Sequence, residues 1–366
     1  IRRKRQTTTP PQYCVPLPLT FPQNTSFFPC DWRPTIPPPC THRLRSKLFC
    51  TESSADILYE WVSVDTPPVA YSFTDKCLGH VVRERCTEDK KLIPNLVHSV
   101  MFGGKELSVL AFLGILSTVR YVQPCLVLLQ ADILPTGTYW DTLLRLVPNI
   151  LHVKRDGPNA VFGRKVKVVQ HRSDIARLEA VKMFGGLYAD TDYLLLNSVE
   201  NLRQYEVVMG KTLPFTYCNC IFMGKAGAKF FDLWYDGYRS FKDNVWAFHS
   251  TFVPFRLHKI YPKVPFHVVD TFNRPTYDRV KEQFYQQFYN WTTLQGIHLL
   301  WRRNWEFFRG DFETRDGSQG QVTRRVMFGS HEACYRSTNL TSEIARMKLS
   351  DPEKLIGSLF RISQES

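Results

Sequence analysis

The twenty residues from Ser173 to Asp192, SDIARLEAVKMFGGLYADTD, constrain this chain more than any other stretch. Ser173 is a good helix N-cap, because its hydroxyl can take up a backbone N–H that the first turn leaves unpaired. Ala176, Ala180, Met183 and Phe184 fall at i, i+4, i+7 and i+8, so the spacing predicts a helix over 173–184 with one buried stripe. Gly185-Gly186 stops it, since glycine accepts the left-handed backbone that a helix end requires. Leu187, Tyr188 and Ala189 then begin an apolar strand that runs into Asp190-Thr191-Asp192 and resumes at Tyr193–Leu196. Two acids inside an apolar strand break local consistency, and such breaks mark function. Asp174 and Arg177 lie three apart and share a helix face. The unit offers two carboxylates for a hard cation, with an acid and a guanidinium beside them. Such a set suits a metal–diphosphate and a sugar.

From Leu92 onward the texture alternates between strand and helix. Strands are expected at Leu96–Met101, Leu126–Leu129, Ile150–Val153, Val166–Val169, Leu187–Ala189, Val207–Gly210, Ile221–Met223, His267–Val269 and Ile297–Leu300. Helical patterns fall between them at 107–119, 137–147, 173–184 and 226–241. In the last, Phe230, Trp234, Tyr238 and Phe241 form a core stripe. This alternation implies an α/β layer with a mostly parallel sheet, whose ligands sit beyond the carboxyl ends of the strands.

Residues 1–90 differ in character. Prolines at 10, 11, 16, 18, 22, 29, 34 and 37–39 favour extended, poorly helical chain. Six cysteines, at 14, 30, 40, 50, 77 and 86, fall here without the C-x-x-C spacing of a zinc site. A stem stapled by disulfides among these six is the expectation, with the catalytic domain over 91–366. Cys125, Cys218, Cys220 and Cys334 read as structural, and Cys218 and Cys220 would need distorted geometry to bond each other.

The net charge is +13 over 366 residues. Arg2, Arg3, Lys4, Arg5, Arg33, Arg43, Arg45 and Lys47 stand against Asp31 alone in the first fifty residues. Basic charge gathered at one end argues against a nucleic-acid partner and for a tail beside a membrane, or for an anionic donor. Ten cysteines and three glycosylation sequons, at Asn24, Asn290 and Asn339, point to the secretory pathway. The longest apolar run, Leu107–Val119, is too short to span a bilayer and reads as a core helix. The opening IRRKRQ suggests a fragment whose upstream anchor has been removed.

The stretch 173–192 closely resembles the S-D-x-x-R … GG-x-Y-x-D-x-D signature of the D-x-D sugar transferases. That family includes animal α-1,4-galactosyl- and α-1,4-N-acetylglucosaminyltransferases, yeast α-1,6-mannosyltransferases and the clostridial glucosylating toxins. IPNLVHSVMFG at 93–103 is similar to the family's opening strand, which places the nucleotide near its end. Asn219, in NCIFMGKAGAKFF, matches the family's Asn segment after the metal strand, where an amide orients a donor hydroxyl or the acceptor. GIHLLWRRNW at 296–305 resembles its Φ-H-Φ-W segment. The galactosyltransferases carry His-x-Gly-Pro where this chain has His249-Ser250-Thr251-Phe252, so the acceptor is not carried over.

The resemblance implies a glycosyltransferase-A type fold and a UDP-sugar donor. It implies Mn²⁺, or Mg²⁺, held by Asp192 directly and by Asp190 through water. Asp174, Arg177, Asp190 and Asn219 would be the catalytic set, with His298, Trp301 and Arg302 on the metal or diphosphate. The reaction would pass a hexose or N-acetylhexosamine to a glycan or glycolipid in the Golgi lumen, with retention. The competing expectation is a catalytically silent sugar- or nucleotide-binding protein. No P-loop and no G-x-S-x-G occurs, which excludes P-loop phosphoryl transfer and a serine-elbow hydrolase. A calcium adhesion module would show several acid-rich loops, and one is seen.

Overall fold

A computed structural model of the protein describes residues 42–50, 55–63, 68, 70–86, 90–147, 149–275, 289–300 and 317–328. Its first elements are a hairpin of β1 (His42–Cys50) and β2 (Ala55–Ser63), then β3 (Ala70–Ser72) and α1 (Lys76–Cys86). There follow β4 (Leu96–Val100), α2 (Val109–Val122), β5 (Leu126–Ala131), α3 (Thr138–Leu146) and β6 (Ile150–Lys154). A two-residue hairpin, β7 (Ala160–Val161) with β8 (Arg164–Lys165), leads into α4 (Val169–Phe184) and β9 (Gly186–Ala189). The rest comprises β10 (Tyr193–Leu195), β11 (Val207–Lys211), β12 (Tyr217–Gly224), α5 (Lys229–Asp236) and α6 (Val253–Ile260). The chain then adds β13 (His267–Val269), β14 (Gly296–His298) and α7 (Ser318–Phe328).

The main sheet has eight strands in the order β13-β11-β12-β9-β4-β5-β6-β3. Among them only β12 runs against its neighbours. The mixed α/β architecture with a mostly parallel sheet is therefore present. β4, β5 and β9 are buried at every position, as strands covered on both faces must be. From β4 the chain steps outward to β5 and β6, then returns through α4 to place β9 on the other flank of β4. The crevice beyond the carboxyl ends of β4 and β9 is thus the switch point where open α/β sheets hold ligands.

Three expectations are corrected here. The boundary at residue 90 falls inside the domain: β3 pairs in parallel with β6, and α1 buries Leu78, Val81 and Val82 against Leu96, Leu126, Leu128 and Leu151. The physical reason is coverage: α1, with Phe184 of α4 against the same cluster, shields that part of the sheet. The pairing of the six N-terminal cysteines among themselves is likewise overturned, since Cys86 bonds Cys125 with Cα atoms 5.4 Å apart. Cys218 and Cys220 are bonded to each other, their Cα atoms drawn to 5.1 Å. The register of β12 against β11 shifts between Met209 and Gly210, an irregularity that shortens the strand where the bridge forms. Cys14, Cys30, Cys40 and Cys334 lie outside the described residues. Among the described residues no helix is long and apolar enough to cross a membrane.

Helix α4 begins at Val169, four residues before the expected cap, and Val166–Val169 is not a strand. Ser173 lies inside the helix. The carboxylate of Asp243, far along the chain, accepts the N–H groups of Lys167 (3.0 Å) and Val168 (3.4 Å) and fixes this start. Ala176 and Ala180 are buried as expected, whereas Met183 faces solvent. The stripe Phe230, Trp234, Tyr238 and Phe241 is buried throughout.

Candidate functional site

Two close contacts aim the D-T-D turn. Gly186 has φ +99°, and a Cβ there would strike the carbonyl oxygen of Leu96, so only glycine lets β9 lie this close to β4. Gly114 of α2 abuts the carbonyl of Thr191, and a Cβ at 114 would collide with it. The turn is closed by Tyr193 N–H donating to the Asp190 carbonyl at 3.0 Å, while Asp190 N–H donates to the Cys220 carbonyl at 2.7 Å. After the turn the chain leaves the main sheet as β10, which pairs antiparallel with β14. Tyr193 stands opposite His298 in that register, and Leu299 N–H donates to the Asp192 carbonyl at 2.9 Å. A segment a hundred residues downstream is thereby delivered to the acids.

His298 Nε2 lies 3.2 Å from Asp192 Oδ1 and 3.9 Å from Asp190 Oδ2. Burial opposes charging the ring, but the carboxylates of Asp192 and Asp190 outweigh it and hold His298 above the ordinary imidazole range. Asp190 is pushed above the ordinary carboxylate range by burial and by the charge of Asp192, a rise that Arg177 opposes. Asp190, Asp192 and His298 each present a ligand atom, all within 4.8 Å of one another.

Arg177 organises the other side. Its Nε donates to the Ser173 carbonyl (3.2 Å), and its Nη2 donates to Ser173 Oγ (3.0 Å) and lies 3.4 Å from Asp174. Its Nη1 reaches the Asn219 carbonyl (3.0 Å) and Asp190 Oδ1 (2.9 Å), and the guanidinium lies over the Tyr188 ring. All three nitrogens are engaged, so Arg177 acts by fixing its neighbours. The Asn219 amide donates to Asp174 Oδ1 at 2.7 Å, and Tyr188 donates its hydroxyl to Asp190 at 2.5 Å. Asp174, Arg177, Asp190, Asp192, Asn219 and His298 thus form one contiguous network. Trp301 and Arg302 lie outside the described residues.

Sequence reasoning did not single out Tyr188, whose hydroxyl completes the partners of Asp190; its place two residues before that acid on one strand face was the available signal. His249, at the departed acceptor motif, packs its ring against Tyr238 and Phe241 and is a core residue.

A cleft of about 280 Å³ opens beside the acids, lined by Val100, Phe102, Lys105, Ile133, Arg177 and Asp190 among others. A larger cavity, about 530 Å³, opens at the amino ends of the strands near Phe73, Arg83 and Lys225. It contains none of the carboxylates that converge here, whereas Asp190 lines the smaller cleft.

A carboxylate pair at a sheet switch point suits a hard cation, and the same stretch of chain is where a known family is matched. Residues 124–209 match the family model of the glycosyltransferase sugar-binding region containing the DXD motif. The matched segment spans Asp174, Arg177, Asp190 and Asp192. The chain is 30% identical over 190 residues to glucan organizing enzyme 1 of Cryptococcus neoformans var. grubii, 47% of this chain and 51% of that protein. It therefore spans about half the length of that curated relative. Among solved structures, the chain is similar to the glycosyltransferase GlyE of Streptococcus pneumoniae (12% identity, 72% of this chain and 64% of that one, TM-score 0.38). It is also similar to the galactosyltransferase LgtC (10% identity, 72% and 99%, TM-score 0.37) and the PaToxG glycosyltransferase (12% identity, 78% and 94%, TM-score 0.34).

Proposed function

We propose that the protein transfers a hexose or N-acetylhexosamine from a UDP-sugar to a glycan or glycolipid acceptor, using a divalent cation and retaining anomeric configuration. The observation that carries this reading is the convergence of Asp190, Asp192 and His298, with Asp190 and Arg177 lining the adjoining cleft. Two carboxylates and one imidazole are hard to borderline donors, a set that fits Mn²⁺ or Mg²⁺. When bound, such a cation neutralises the charge that develops on the departing diphosphate.

The protein's own groups divide the remaining work. Asp192 and His298 would hold the cation, and Asp190, already shared between Arg177 and Tyr188, would meet donor hydroxyls or the water shell. Asp174 and Asn219 hold each other in place and would bind the sugar ring, with Arg177 keeping both aligned. Lys105 at the cleft mouth would face phosphate, and Phe102 and Ile133 would enclose the base.

The similarity to a glucan organizing enzyme supports a polysaccharide or glycan acceptor. Disulfides and the exposed sequon residue Asn290 support a secretory compartment, with the Golgi lumen the expected place. The test is a screen for Mn²⁺-dependent UDP release across a panel of UDP-sugars. Release from one or two donors is expected. A protein that binds UDP with Mn²⁺ yet consumes no donor, even by slow hydrolysis, is the silent binder instead.

A further inference from the structure

The β12 strand carries a feature that the transfer reaction does not use. Cys218 and Cys220 flank Asn219 and are joined to each other. While the Asn219 amide reaches Asp174, both cysteines are buried in the core beneath α2, apart from the cluster that packs α4. There the two sulfurs and a ring nitrogen of His298 lie within 4.8 Å of one another. His298 is therefore shared by two donor sets: the carboxylates of Asp190 and Asp192, and the sulfurs of Cys218 and Cys220.

The two sets differ in chemistry. Carboxylates suit Mn²⁺ and Mg²⁺, whereas two thiolates and an imidazole suit Zn²⁺, with a fourth tetrahedral position left for water or a carboxylate. While the sulfurs are bonded to each other, neither is a thiolate and neither can ligate. A dithiol reductant breaks the S–S bond, gives each sulfur one hydrogen and itself becomes a cyclic disulfide. Zinc then takes both sulfurs as thiolates, and their two protons pass to solvent.

We propose that reduced Cys218 and Cys220 form, with His298, a zinc site that competes with the carboxylate pair for the imidazole. The disulfide keeps His298 with the acids, and reduction opens a soft-metal site that removes it from them. The inference rests on the positions of sulfur and nitrogen atoms and stands whether or not the protein transfers sugar.

The test measures zinc retained by the full chain after treatment with a dithiol, loading with Zn²⁺ and desalting. Reduction also frees other cysteines, so the readout is the difference between wild type and a Cys218→Ser, Cys220→Ser chain. About one zinc more per wild-type chain is expected after reduction, and no difference before it. With Co²⁺ in place of zinc, the thiolate-to-metal charge-transfer band should be stronger in reduced wild type by the same increment. A Cys86→Ser, Cys125→Ser chain should keep the increment. Should the Cys218→Ser, Cys220→Ser chain fail to fold, the comparison is made with His298→Ala, in which that increment of the cobalt band should require at least tenfold more metal. Equal zinc in wild type and the Cys218→Ser, Cys220→Ser chain after reduction overturns the proposal, as does a cobalt titration that His298→Ala leaves unchanged.

Discussion

Two histidines sit in similar local sequence, LVHSV at the centre of β4 and GIH at the end of β14, and their surroundings give them opposite characters. His98 is fully buried, its Nε2 2.7 Å from the Gly185 carbonyl and its Nδ1 without a partner among the described residues. A carbonyl only accepts, so Nε2 carries the hydrogen and the ring is neutral; burial lowers its pKa to about 4. His298 faces two carboxylates and is held above the ordinary range. What differs is the partner across the gap: a carbonyl makes a core histidine, and two acids make a site histidine. Apolar strand patterning is blind to that distinction.

The largest effect expected from breaking the site side of this comparison is at Asp192. Asp192→Asn keeps the shape and removes the anion that His298 faces and that the proposed cation would share. Donor turnover should fall at least a hundredfold, about 3 kcal/mol of transition-state stabilisation, in a UDP-release assay. A fall of less than tenfold would shift the metal-binding role to Asp190.

The core side is broken by acid. In the unfolded chain His98 takes a proton near 6.5, but in the folded protein only near 4. Between those values the unfolded state binds more protons, so stability falls as pH drops from about 6.5 to about 4, by about 3 kcal/mol from this residue. His98→Gln keeps an N–H for the Gly185 carbonyl and does not titrate. Urea melts across this range should show a flatter pH dependence in the variant, and identical slopes would place the proton elsewhere.

His298→Ala sharpens the contrast. Turnover should fall about tenfold or more while the melting temperature changes little, because the polar partners of the ring are the two carboxylates and not a buried carbonyl. A large loss of melting temperature with unchanged specific activity would make His298 a second His98. The smallest effect is expected at Asn219: replacing it with Ala removes the donor to Asp174 and should slow turnover several-fold, with little change in Mn²⁺-dependent UDP binding.

How much of this was legible follows from the range of each signal. The Gly185–Gly186 stop, the strand and the D-T-D turn are encoded within twenty consecutive residues, and the structure has them where the spacing puts them. The start of α4 was not legible, because Asp243 fixes it from far along the chain while VKVV at 166–169 imitates a strand. The joining of Asn219 to Asp174, and of β14 to β10, depends on strand register across tens of residues. Cysteine pairing failed for the same reason. An even count in a proline-rich segment says nothing of Cys125, which the fold brings against the end of α1.

The central claim is that Asp192 and His298, beside Asp190, hold a divalent cation that in turn recruits the nucleotide. Thermal melts with UDP alone, Mn²⁺ alone and both together test it most directly, run on wild type, Asp192→Asn and His98→Gln. Wild type and His98→Gln should gain several degrees only when UDP and Mn²⁺ are both present, and Asp192→Asn should gain none. Stabilisation of wild type by UDP that is indifferent to Mn²⁺, or that survives intact in Asp192→Asn, would contradict it.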